Sequence, residues 1–340
     1  MRPWTVALTG ATGFIGGAVL GQLAGCVTAG GSPVRVRALV RRPDVVLPGG
    51  EGAGRVRADL TDPASLAGVL EGVDALVHAV SYVGRDAERC EAVNLGGTIA
   101  VLAAARAAGV GRIVHLSTAA VYGAGPHRGI DVDAGAPAPV SAASRSRLAA
   151  ERPALEAGAL VLRPALVLGV GDRWAVPAFA ELAERVPPEW LGGTGLQSVV
   201  DVGDLARLAV AAAVGPDVVR GVHHAAHPVP VTTGRLRRAL SGHGLVAPAR
   251  GSAGWQQCRT LLARSRGRYG ERQLELFARD HFYLSERVWR LLSQDPGPGP
   301  LARLEGAAGW YRGFMAGLRA CSRRGPEALR CPAGRCATAR

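Results

Sequence analysis

Apolar runs and helix-like stretches alternate along the first half of the chain. Runs with strand character fall at residues 5–9, 34–40, 55–58, 75–80, 112–117 and 160–168, and the segments between them carry helical spacing. That alternation predicts a parallel sheet covered by helices on both faces, a doubly wound α/β fold. Residues 14–23 form an amphipathic helix directly after the first strand. Residues 89–108 form a longer one, rich in alanine and stopped by Gly109. Beyond Gly169 the rhythm changes to short elements at 174–185, 198–202, 204–214, 221–225 and 232–241, separated by Pro and Gly. After Pro296-Gly-Pro-Gly-Pro300 a last helix is predicted over 301–318. The expected organisation is a core over residues 1–168, a smaller C-terminal lobe over 169–318 with some elements returning to the core, and a disordered tail over 319–340.

The junction of the first strand and first helix carries the most specific chemistry. Residues 6–16 read V-A-L-T-G-A-T-G-F-I-G, an apolar strand running into glycines at 10, 13 and 16. Gly10 suits the tight turn out of the strand, Gly13 a close approach of the backbone to phosphates, and Gly16 the packing of the helix on the sheet. The helix start then offers free N–H groups and a positive dipole end to an anion. Gly10, Ala11, Thr12, Gly13, Phe14, Ile15 and Gly16 are therefore the expected pyrophosphate cradle of a Rossmann-type dinucleotide-binding core. The alternative is a glycine turn without a ligand, in a chain holding 47 glycines.

Composition narrows the class further. No apolar stretch reaches the roughly 18 residues of a membrane span. The stretch 98–110 is interrupted by Arg106, and the first strand starts too early to leave room for a leader, so a cytoplasmic location without membrane contact is expected. The net charge is +13, but all 40 basic residues are arginine. Absence of lysine, with Asn94 the single asparagine, points to a GC-rich genome. No nucleic-acid recognition motif accompanies the charge, so no nucleic-acid partner is expected. Cysteines at 26, 90, 258, 321, 331 and 336 form no C-x-x-C pair, which argues for reduced thiols and no structural zinc. His223 and His224 are neighbours in a strand-like run and would face opposite ways, so with His227 they make a poor ligand set; no metal is expected.

Several further motifs stand in order along the chain: Ala58-Asp59-Leu60-Thr61-Asp62, His78-Ala79, Val93-Asn94-Leu95-Gly96-Gly97-Thr98, Ser117-Thr118-Ala119-Ala120-Val121-Tyr122-Gly123, Leu162-Arg163-Pro164 and Val199-Val200-Asp201-Val202-Gly203-Asp204. With the glycine loop, they make residues 4–315 resemble the extended short-chain dehydrogenase/reductase family, whose members include NAD-dependent epimerases and dehydratases. The resemblance implies that Asp59 and Leu60 hold the adenine, that Ala79 and Val80 line the cofactor path, and that Pro164 also borders the cofactor. An acidic residue after the second strand would favour NAD, whereas Val40-Arg41-Arg42 stands there. Two guanidiniums suit a 2′-phosphate, so NADPH is the expected cofactor, through Arg41 and Arg42.

The chain departs from the family at the catalytic centre. The family's Tyr and Lys, spaced Y-x-x-x-K, map onto Ala143 and Arg147, and a chain without lysine cannot supply the pair by any other alignment. Arg147 would still hold the nicotinamide ribose, but it does not release a proton at useful pH. Thr118 and Ser117 are the expected hydrogen-bonding residues, with Tyr122 as a third candidate catalytic residue. Tyr82 and His127 lie on loops that could reach the same pocket. Missing the Tyr–Lys pair, the chain resembles atypical ketoreductases that tailor angucyclinone-like aromatic polyketides in antibiotic biosynthesis. In such substrates a phenol beside the ketone can carry the proton. The expected activity is an NADPH-dependent reduction of an aromatic ketone, a small-molecule substrate, by a substrate-assisted route. Alternatives are a non-catalytic NADP(H)-sensing regulator and a sugar-nucleotide epimerase or dehydratase. Oligomeric state is left open.

Overall fold

The computed structural model describes residues 2–47, 49 and 52–323. Seven parallel strands form the main sheet, in the spatial order Gly221–His224, Leu160–Arg163, Arg112–Leu116, Ala75–His78, Trp4–Thr9, Val34–Val40 and Gly54–Arg57. The strands Trp4–Thr9, Ala75–His78 and Leu160–Arg163 are almost wholly buried because both faces are covered, whereas Val34–Val40 and Gly54–Arg57, toward one edge, carry exposed arginines. Along the first strand Val6 and Leu8 enter one core with Val19 and Leu20 of the helix Phe14–Leu23 and Leu205, Leu208 and Ala209 of the helix Val202–Val214. Ala7 enters the other with Leu76, Val101, Leu102, Ala154 and Val161. The α/β expectation therefore holds, and the order of the strands places the reversal of winding beside the glycine loop.

The predicted run 160–168 is two strands. Pro164 has no N–H to give to a ladder, and the chain leaves the main sheet there. Leu160–Arg163 stays in that sheet, and Leu166–Leu168 pairs instead with Val199–Asp201. The predicted strand 75–80 ends at His78, which frees Ala79 and Val80 to line a cleft. The long alanine-rich helix also differs from a plain α-helix: a turn of π-helix, Glu91–Gly96, sits between Ala87–Cys90 and Gly97–Ala107. Its extra residue turns Asn94 inward, where it is almost fully buried.

A separate hydrophobic core gathers around Phe179, Leu182, Trp190, Phe277 and Tyr311, with Leu166 and Leu168 joining it. A four-stranded sheet there joins His127–Ile130 to His281–Tyr283, segments far apart in sequence. Asp172 caps the helix Ala175–Arg185 by accepting from the N–H groups of Trp174, Ala175 and Val176. The last helix spans Leu304–Arg323, and residues 324–340 of the expected tail lie outside the described residues. Among the described residues no helix is long and apolar enough to cross a membrane.

Two glycines of the first helix differ in what surrounds them. A Cβ on Gly16 would stand 2.1 Å from the Gly10 carbonyl oxygen, whereas one on Gly21 would meet nothing within 4 Å. Gly16→Ala should destabilise by about 1–3 kcal/mol or more, since backbone must move. Gly21→Ala should stabilise by about 0.5–1 kcal/mol through helix propensity. Urea unfolding of both variants checks the pair; equal effects would mean that the loop and helix do not pack as described.

Candidate active site

A cleft runs along the carboxyl ends of the central strands, divided by the glycine loop. On one side a cavity of about 540 Å³ is lined by Gly10, Ala11, Thr12, Gly13, Arg41, Arg42, Asp59, Leu60, Ala79 and Val80, together with Thr61, Tyr82 and Arg89. The other side opens into a larger cavity of about 1060 Å³, lined by Phe14, Thr118, Ala143, Arg147 and Trp174 among others. Ala11, Thr12 and Gly13 border both. One elongated ligand could therefore pass over the loop from one side to the other.

The loop is held open by the absence of side chains. Gly10 has φ of +75°, and a Cβ on it would stand 2.8 Å from the Ala79 carbonyl carbon and oxygen. The helix Phe14–Leu23 begins at Gly13 with no side-chain cap, so its first N–H groups face the cleft without a protein side chain to take them. Arg41 and Arg42 are exposed at the far end of the smaller cavity, and neither side chain makes a hydrogen bond or ion pair with a described residue. Asp59 accepts from the Thr61 N–H at 3.0 Å and its hydroxyl at 2.8 Å, which lowers the carboxyl pKa, with Arg41 and Arg57 adding to the effect. The uncapped N–H groups, the exposed guanidiniums and the elongated shape of this cavity fit a dinucleotide.

Asn94 positions the wall of that cavity. Its Oδ1 accepts from the Tyr82 N–H at 2.7 Å, and its Nδ2 donates to the Tyr82 carbonyl and the Ser146 hydroxyl, both at 2.9 Å. Arg89 stacks over the Tyr82 ring at 4.6 Å. In the larger cavity, Ala143 and Arg147 share one face of the helix Ala142–Glu156, which starts with a Ser141–Ser144 capping box. Arg147 Nη2 donates to the carbonyl oxygens of Leu116 and Ser117, fixing the guanidinium at the cavity wall. Burial lowers its pKa to about 10, opposed by Glu151, so it stays charged near neutral pH.

Ser117 and Thr118 diverge. Thr118 lines the cavity, and its Oγ1 accepts from the Ala120 N–H at 3.1 Å, leaving its own hydrogen free to donate. Ser117 is fully buried and donates its hydroxyl to Glu151, away from the cavity. Tyr122 is also buried: its hydroxyl takes a bond from Arg163 at 2.7 Å and pairs with His224 Nε2 at 2.7 Å. Burial raises its pKa. His127 is buried against the Tyr283 hydroxyl, at 2.8 Å. Ile15 and Gly16 belong to the helix beneath the loop, and Pro164 is buried with its carbonyl on the Ala119 N–H; none of the three lines either cavity. Sequence reasoning missed Thr61, Arg89, Val46, Val83, Asp172 and Trp174 as lining residues. Of these, only Asp172 carried a local signal, an acidic residue just before a helical pattern.

Among the described residues no group of three or more His, Cys, Asp or Glu could hold a metal ion. His224 is bonded to Tyr122, and His223 lies against the Arg220 carbonyl.

The sequence model of the NAD dependent epimerase/dehydratase family matches residues 6–224. A 2-alkyl-3-oxoalkanoate reductase of Stenotrophomonas maltophilia is 34% identical over 147 residues, 39% of this chain and 44% of that protein. A 4-hydroxy-2-methyl-3-oxo-4-farnesyl-3,4-dihydroquinoline-1-oxide ketoreductase of Stigmatella aurantiaca is 31% identical over 223 residues, 62% of this chain and 64% of that protein. The chain thus spans less than two thirds of the length of these relatives. Among solved structures, MoeE5 in complex with UDP-glucuronic acid and NAD superposes at a TM-score of 0.66 with 24% identity, over 91% of this chain and 99% of that one. WbmG of Bordetella bronchiseptica in complex with NAD does so at 0.70 with 17% identity, over 92% and 95%. Likeness at these identities shows the fold.

Buried histidines around the site make its stability acid-sensitive. Burial lowers the pKa of His78, His224 and His281 from an ordinary 6.5 to about 4, and it also holds His115 well below the ordinary value. Unfolding lets each take up a proton below pH 6.5, so their contribution is complete above that value and is lost as pH falls toward 4. The urea midpoint should drop between pH 7.5 and 5, and the drop should shrink in His224→Gln. A midpoint unchanged over that interval would contradict the burial of these rings as neutral groups.

Proposed function

The chain belongs to the NAD dependent epimerase/dehydratase family, and from that premise we propose that it is an NADPH-dependent ketoreductase acting on a large aromatic ketone of the polyketide type. The observation that carries this reading is the junction of a complete dinucleotide cleft with a wide, largely apolar cavity whose catalytic face presents Ala143 and Arg147. The names of the two curated relatives, both reductases of oxo compounds, support ketone reduction.

Gly10, Ala11, Thr12 and Gly13 would hold the pyrophosphate of the cofactor, Asp59 and Leu60 its adenosine end, and Arg41 and Arg42 a 2′-phosphate. A bound reduced nicotinamide supplies hydride. The chain's own part begins with the ketone oxygen, on which negative charge develops as the carbonyl is reduced. Thr118 donates a hydrogen bond to that oxygen, and the fixed charge of Arg147 stabilises it electrostatically. Neither group is a proton source near neutral pH, and the carboxyl of Asp172, the acidic residue lining the cavity, is engaged by three N–H groups and the Tyr311 hydroxyl. The proton comes from the substrate, through a phenol ortho or peri to the ketone. Positioning alone can supply about 7–11 kcal/mol of a barrier, so loss of a protein acid is tolerable. A sugar-nucleotide epimerase would have to oxidise an unactivated alcohol with Asp172, whose carboxyl already takes four hydrogen bonds, as the one acidic residue among the described residues lining this cavity.

Two outcomes test this reading. NADPH should bind about 10- to 100-fold more tightly than NADH, and Arg41→Ala should remove much of the difference, as expected for losing a charge-assisted bond of about 1.5–3 kcal/mol. Fluorescence titration of both cofactors measures it, and equal affinities in the wild type would exclude the 2′-phosphate site. Turnover of a phenolic ketone should exceed that of its methyl ether by up to about 10⁴-fold. Thr118→Ala should lower turnover only by the loss of one hydrogen bond, about 0.5–1.5 kcal/mol. Equal turnover of phenol and ether would point to a proton donor within the protein.

A further inference from the structure

The mouth of the larger cavity is built against its own solubility. Val46, Val83, Val170 and Trp174 line it while 74%, 73%, 55% and 42% exposed. They come from three separate loops, after the strands Val34–Val40 and Ala75–His78 and before the helix Ala175–Arg185. Convergence of unrelated loops on one exposed apolar rim marks a binding surface rather than scattered surface side chains.

Charge around the same cavity is positive on balance. Its titratable lining residues are Arg147, Asp172 and Arg173. Asp172 is nearly fully buried and saturated by its four bonds. Arg147 is tied by the Leu116 and Ser117 carbonyls. Arg173 stands exposed beside Trp174 in sequence and makes no hydrogen bond or ion pair with any described residue. An apolar rim with one unpartnered guanidinium matches a ligand with an apolar body and a single negative group.

We propose that this mouth binds an aromatic carboxylate, its ring system against Val46, Val83, Val170 and Trp174 and its carboxylate on Arg173. Under the ketoreductase reading, on which the term substrate rests, the substrate is an aromatic keto acid rather than a neutral ketone. Attraction to an exposed arginine is screened by salt, so the preference for the acid should weaken as ionic strength rises.

Calorimetry on the full chain with 2-naphthoate and 2-naphthamide tests the assignment directly. The acid should bind the wild type about tenfold or more tightly than the amide, the scale of one charge-assisted bond. Arg173→Gln should abolish that preference and leave amide affinity within about twofold, while Trp174→Ala should weaken both ligands; Arg266→Gln, an exposed arginine away from the cavity lining, should change neither. Equal binding of acid and amide to the wild type would overturn the proposal, as would a preference that survives in Arg173→Gln. So would a Trp174→Ala protein that changes its oligomeric state but not its ligand affinity. These are binding measurements, so they stand apart from catalysis. A preserved acid preference with no NADPH oxidation by any ketone would refute the reductase reading and support the carboxylate site.

Discussion

The ion pair between Arg163 and Glu151 is buried beneath the candidate site, whose geometry depends on it. Both side chains are almost fully buried, where a lone charge would be strongly unfavourable and where removing either partner of a pair typically costs about 3–5 kcal/mol. Arg163 Nε bonds Glu151 Oε1 at 2.9 Å, and Nη2 takes the other oxygen. Ser117 adds a donor to the carboxylate, and Arg163 reaches on to Tyr122, which pairs with His224, whose Nδ1 lies 3.1 Å from the Leu284 carbonyl. The network thus joins the strand Leu160–Arg163, the helix carrying Ala143 and Arg147, the end of the edge strand Gly221–His224 and the chain at Leu284. Its satisfaction fixes where Arg147 and Thr118 can stand.

The second constraint is close backbone approach. Gly10 and Gly16 bring loop, helix start and the end of the Ala75–His78 strand nearer than any Cβ would allow. This packing places uncapped N–H groups at the carboxyl edge of the sheet, where open α/β folds bind their ligands. Because Ala11, Thr12 and Gly13 border both cavities, the loop links the smaller half of the cleft to the larger.

Much of this was legible in the sequence. Central strands buried on both faces leave apolar runs, and a tight strand-to-helix turn packed this closely needs glycines at set positions, so both announce themselves locally. The shared face of Ala143 and Arg147 was legible too, because they hold fixed offsets on one helix. What escaped was sidedness and long-range pairing. Ser117 and Thr118 are chemically alike and, as neighbours in extended chain, face opposite ways, and the buried carboxylate of Glu151 marks Ser117 as the inward one while Thr118 faces the cavity. Tyr122 read as a possible catalytic group because the Arg163 and His224 that absorb its hydroxyl are distant in sequence. The apolar rim needed three loops to be placed in space. Pro164 could have announced the break in the 160–168 run by its missing N–H, whereas the inward turn of Asn94 needed the π-helical geometry.

The central claim is that this cleft reduces a ketone with no proton donor of its own. The pH dependence of kcat over a series of ketones whose neighbouring phenols differ in acidity tests it most directly, with product release separated by single-turnover kinetics. The account predicts that the break in the profile moves with the pKa of the substrate phenol. A break that stays at one pH for every substrate would belong to a group of the protein and would contradict it.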